Sequence, residues 1–118
     1  MSQATKKSSI EILVSLNQDK FPETIEWKSS DGIKAQEFQE AKAILVSMFD
    51  KTTKDTLKID LWTTEMQVVE MDRFMFQTLR SLGDTYYKST GNKELAGDLQ
   101  RFVEYFGQKT GIIPTEDS

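Results

Sequence analysis

The 118 residues contain no histidine and no cysteine. The missing histidine removes the side chain that most readily moves protons near neutral pH. The missing cysteine removes disulfides, thiol nucleophiles and the commonest zinc sites. Only two prolines are present, so extended Pro-rich segments are excluded. Positive charge is also in short supply. Lys and Arg number 15 against 19 Asp and Glu, for a net charge of −4, and the isoelectric point is near 4.9. Phosphate neutralisation needs a surplus of Lys and Arg, so nucleic acid is disfavoured as a partner. Charge-driven docking on anionic lipid is disfavoured for the same reason.

No apolar run approaches the roughly 20 residues that cross a bilayer, which argues against membrane insertion. The opening stretch, with Lys6 and Lys7 before Ile10–Leu16, faintly resembles a secretion signal. Glu11 and Ser15 interrupt that run and no small-residue cleavage site follows, so a strand explains it better. A cytoplasmic location is the default expectation.

What is present is the composition of one globular domain. Apolar residues make up 37% and charged residues 29%, which separates the chain from disordered sequences. At this length folding buries roughly two-thirds of the unfolded surface, enough for one core. Residues 1–9 read as a flexible tail, 10–112 as a single domain, and 113–118 as a flexible acidic tail. No internal repeat or linker is found.

Periodicity supplies the elements. Ile10, Ile12, Val14 and Leu16 alternate with other residues, as in a strand with one apolar face. A polar turn over residues 17–20 leads to a second strand, Phe21–Lys28, whose Pro22 belongs at its start or on an edge. Phe38, Ala41, Leu45, Met48 and Phe49 fit one face of a helix. The run Ala43–Phe49 also fits a buried strand, and the lead-in residues 37–42 favour the helix. Leu57, Ile59 and Leu61 then alternate with Lys58, Asp60 and Trp62 in a third strand. Thr64 and Gln67 form a capping-box pattern ahead of a long helix over about 65–89. Gly91 suits its end and Asn92 the cap of a last helix, closed by Gly111. The expectation is an α+β fold: a small three-stranded antiparallel sheet in the order β-β-α-β-α-α, with helices packed on one face.

Three features invite a functional reading. Val68, Met71, Met75, Leu79, Leu82 and Tyr86 form the expected core stripe of the long helix. Val69, Phe76, Gly83 and Tyr87 fall on a second apolar line about a quarter-turn away. Either the last helix covers this line or it meets a partner or a second copy of the chain. The polar sheet face carries two apolar exceptions, Leu13 and Trp62, and an exposed tryptophan can anchor a partner. The acids Asp50, Asp55, Asp60, Glu65 and Glu70 are scattered over loop, strand and helix start without the spacing of a metal loop. A helix N-terminus accounts for Glu65. No catalytic, metal or cofactor site is expected, nor any cofactor. The candidate partner contacts are Leu13, Trp62, Val69, Phe76 and Tyr87.

The stretch TLKIDLWTTEMQVVEMDRFMFQTL, with ETIEWKSSDG before it and DTYYKSTGNKELAGDLQRFVEYF after it, resembles the gliding-motility protein GldC family of Bacteroidetes. The likeness runs from about Ile10 to Ile112 and rests on unusual runs such as IDLW rather than on a catalytic signature. It implies a small cytoplasmic accessory protein of the gliding machinery, which is linked to type IX secretion. It implies no catalytic or ligand-binding residues. The expected function is therefore a non-enzymatic adaptor contacting an unknown component of that machinery. The alternative is a carrier that holds a small molecule or hydrophobic segment among Phe38, Met48, Phe49, Met71 and Met75.

Overall fold

The computed structural model describes residues 6–32 and 37–114. The chain divides after Met66 into two compact units, one of strands and one of helices. Most of the two expected tails, residues 1–5 and 115–118, lies outside the described residues.

Among the described residues the first unit holds five strands: β1 (Ile10–Leu16), β2 (Pro22–Ser29), β3 (Gln39–Ala41), β4 (Ala43–Phe49) and β5 (Thr56–Trp62). β1 and β2 form the expected antiparallel hairpin, with Ile12 opposite Trp27 and Val14 opposite Ile25. Its turn is organised by Asn17, whose side-chain oxygen accepts from the N–H groups of Asp19 (2.9 Å) and Phe21 (3.1 Å). That wrap forces Lys20 into a left-handed conformation, φ 67°. On the polar face Glu11 and Lys28, directly opposite across the strands, form an ion pair at 3.6 Å. Ile25 is fully buried at the centre of the apolar face. Its neighbours there, Val14 on one side and Ala41 of β3 on the other, follow from the pairing register.

The expected helix over residues 38–49 is not formed. Those residues make β3 and β4, so the observed order is five strands followed by two helices. Alternation explains the outcome: Ile44, Val46 and Met48 stand opposite Leu61, Ile59 and Leu57 of β5. The β-branched Ile44 and Val46 are stiff in a helix and well suited to a pleated surface. The helical reading arose because Leu45 and Phe49, on the opposite face, are apolar as well. The single three-stranded sheet is also corrected, because β1-β2-β3 and β4-β5 are separate sheets. Lys42 is the bend between them. Just before it Ala41 pairs with β2, and just after it Ala43 pairs with β5.

The second unit is a helical hairpin of α1 (Val68–Thr90) and α2 (Lys93–Lys109). α1 begins three residues later than expected. Glu70, not Gln67, closes the capping box, its carboxylate accepting from the Gln67 N–H at 3.1 Å. Gly91 ends α1 at φ 72°, its N–H bonded to the Tyr87 carbonyl. Asn92 caps α2 through the Leu95 N–H at 3.0 Å. Both assignments agree with the sequence reading.

The helices meet along small residues. Phe76 and Gly83 are buried on α1, and Ala96, Val103 and Gly107 on α2. A Cβ on Gly83 would overlap the Gln100 side chain, and one on Gly107 would lie 2.7 Å from the Phe76 ring. The second apolar line is therefore the line α2 covers at Phe76 and Gly83. The expected core stripe is only partly covered, with Val68 and Leu82 exposed.

Candidate functional site

The β4-β5 ribbon exposes Met48, Phe49, Leu57, Ile59 and Trp62, as the β1-β2 hairpin exposes Ile10, Ile12, Leu13, Leu16 and Phe21. Period-two geometry places Ile44, Val46, Met48, Leu57, Ile59 and Leu61 on one face. Of these, Met48 is 47%, Leu57 61% and Ile59 41% exposed. A two-stranded ribbon is marginal in water by itself, and a face of six aliphatic side chains is more than it can cover. The other face carries Lys58 and Asp60, ion-paired at 3.0 Å, with Trp62 beyond them at 55% exposure.

The ribbon's turn is rigidly made. Asp50 accepts at one carboxylate oxygen from the N–H groups of Thr53 (2.7 Å) and Thr52 (2.9 Å). These bonds, the Thr53 one foremost, and a further bond to the Thr53 side chain hold the Asp50 carboxyl below the usual aspartate range. Lys54 closes the turn at φ 61°, its N–H bonded to the Asp50 carbonyl at 3.0 Å. The ladder is sealed at the other end by the Thr63 N–H on the Lys42 carbonyl (2.8 Å). The next N–H, of Thr64, reaches Pro22 of the first sheet (3.1 Å).

A cleft of about 300 Å3 opens beside that seal, lined among others by Glu23, Ile25, Glu40, Lys42, Thr63 and Glu65. Thr63 is buried, and among the described residues its hydroxyl has no hydrogen-bond partner. The hydroxyl oxygen exposes less than 1 Å2, so a molecule entering the cleft would not reach it. Among the described residues no three acidic side chains are placed to hold a metal ion. None of Phe38, Met48, Phe49, Met71 or Met75 lines this cleft.

The sequence-derived contact residues do not form one patch. Leu13 is on β1, in the first sheet, and Trp62 is on β5, in the ribbon, so they do not share the single sheet face expected of them. Val69 and Tyr87 are exposed on α1. Phe76, only 6% exposed, fills the helix seam and is corrected from a contact residue to a core residue. Sequence reasoning missed the apolar face completed by Ile44, Val46 and Met48. Apolar residues on both faces of that run hid them.

Residues 22–112 match the family model described as gliding motility-associated protein GldC-like. This chain belongs to the GldC-like family. The match starts at β2, so β1 lies outside it, and runs through all of α2. A GldC-like chain is thereby associated with gliding motility, through a family whose description specifies a process and no reaction. No curated protein and no solved structure matches this GldC-like chain. Among its described residues no helix is long and apolar enough to cross a membrane.

Proposed function

We propose that this GldC-like chain is a non-enzymatic accessory protein that serves gliding motility through protein–protein contacts. Its place is the cytoplasm, where it meets a component of the gliding apparatus or of the linked type IX secretion machinery. The family match supports the process. The observation that carries the mode of action is Trp62, a tryptophan more than half exposed on a ribbon whose opposite face is aliphatic and partly exposed. Tryptophan offers a large rigid contact area at low entropic cost, which is why truncating it dominates many interfaces.

Cross-linked pull-down of the tagged chain from gliding host cells, with identification of recovered proteins, tests this reading. One motility or secretion component is expected to be enriched, and Trp62→Ala is expected to reduce its recovery at least tenfold. That factor corresponds to a contact worth about 1.4 kcal/mol or more. Circular dichroism of the variant confirms that the fold survives. Recovery of the chain alone, by a procedure that captures a known complex, overturns the reading.

A further inference from the structure

We propose that the outer edge of β5 pairs antiparallel with β5 of a second copy, about a two-fold axis at Ile59. Among the described residues β5 is bonded into a ladder only on its β4 side. The polarity of that ladder is fixed at both ends. Asp50 donates to Asp55 (2.9 Å) and Thr63 donates to Lys42 (2.8 Å), so both are hydrogen-bonded pairs. Hydrogen-bonded and non-bonded pairs alternate in an antiparallel ladder. Leu57, Ile59 and Leu61 therefore direct their backbone groups towards β4. Thr56, Lys58, Asp60 and Trp62 direct theirs to the open edge.

A strand that pairs with its own copy must bring outward-directed residues opposite one another, and its side chains must tolerate the result. With the axis at Ile59, Lys58 faces Asp60 of the second copy and Asp60 faces Lys58, giving two opposite-charge pairs. Thr56 then faces Trp62, so every outward-directed residue meets another and the register satisfies both backbones. Moving the axis to Lys58 would set that lysine against its own copy. A single lysine in an edge strand usually guards against such pairing. Here Asp60, two residues on and already ion-paired with Lys58, turns the guard into a complementary pattern.

The aliphatic face gains in the same step. Leu57 meets Leu61 and Ile59 meets Ile59 in non-bonded pairs, where side chains come closest. Two ribbons become a four-stranded sheet with one continuous aliphatic face, past the size at which a sheet is stable. The edge ends where Thr64 bonds Pro22. Beside it a notch of about 220 Å3, lined by Phe21, Pro22, Asp60, Leu61 and Trp62, leaves room for the second copy's Thr56.

The natural absence of cysteine gives a clean test in the full chain. Across the axis the Ile59 α-carbons lie about 4.5 Å apart, within disulfide reach. The Leu57 α-carbons are four residues out of step, about 13 Å apart along the strands. Mild oxidation is expected to cross-link Ile59→Cys and not Leu57→Cys. Cross-linking of both, or of neither, overturns the proposal. Sedimentation supplies a second measurement. The natural chain is expected at twice 13.5 kDa, and Lys58→Asp and Asp60→Lys each at the monomer mass. An equimolar mixture of the two variants restores opposite charges at both positions and is expected to return to the dimer mass. A monomeric natural chain, or a mixture that stays monomeric, overturns the proposal. The first result would leave the edge open to a strand from another protein.

Discussion

The helical hairpin and the β4-β5 ribbon solve the same packing problem with opposite materials. In the hairpin, Gly83, Ala96 and Gly107 keep side chains out of the seam, so the helix backbones approach and Phe76 and Val103 are covered. In the ribbon, branched and long aliphatics crowd one face and stay partly exposed. Small residues allow two elements to close on each other. Large ones on a two-stranded sheet leave surface for something else to close upon. The seam of the hairpin is thus closed, although Val68, Val69, Tyr87, Phe102 and Tyr105 stay exposed elsewhere on the helices, and the aliphatic face of the ribbon is open.

The sharpest way to break this comparison is one substitution made in both places. Phe76→Ala removes a ring from the seam and is expected to cost about 3–5 kcal/mol. Phe49→Ala, at a position 70% exposed, is expected to cost less than about 1 kcal/mol, since little transfer from water is undone. Urea unfolding of the two variants measures the gap, and equal losses would remove the distinction. Gly107→Ala comes next. Its added carbon would sit 2.7 Å from the Phe76 ring and 2.6 Å from Ile113, and overpacking of this kind costs about 1–3 kcal/mol. Thermal denaturation is expected to show a lower midpoint. An unchanged midpoint would mean the seam is loosely packed.

The smallest effect sharpens the ribbon's side. Asp50 ionises more readily in the folded chain than in the unfolded one. Its contribution is therefore complete above the unfolded value, about 3.9, and is lost as pH falls through the lower folded value. Asp50→Asn is expected to be slightly less stable than the natural chain at pH 7, with the difference shrinking below pH 4. Paired melts at pH 7 and pH 3 read the difference, and a gap that persists at pH 3 would assign the effect to turn geometry rather than to charge.

Local signals carried much of the fold. The alternation at Ile10–Leu16 and Leu57–Leu61, Gly91 and Gly111 after the helices, and Asn92 at its cap could all be read from neighbours in the chain. Ala43–Phe49 could not, because apolar residues occupy both of its faces and only pairing with β5 decides its state. The start of α1 was misplaced for a related reason. Thr64–Gln67 and Gln67–Glu70 offer similar capping patterns, and the Thr64 N–H is committed to Pro22, a contact 42 residues back in the chain. Of the candidate contacts, Trp62 was legible as an apolar residue in a polar row. Phe76 and Tyr87 look alike on a helical wheel, and only the position of α2 separates the buried one from the exposed one.

Lys42 bears on how the length of this chain can change over time. One residue lies between Ala41, paired with Ile25, and Ala43, paired with Trp62, so the stretch has no slack. Adding or deleting a single residue there would shift β3 against β2 or β4 against β5 and turn every side chain of the displaced strand to the wrong face. The turn over residues 50–55, at the far end of the ribbon, joins a single strand pair. A change of length there disturbs the bonds of Asp50 to Thr52, Thr53, Lys54 and Asp55 and leaves the pairing of β3 with β2 in place. A gap at Lys42 in an alignment of related chains would break two ladders at once, where one in that turn would break one.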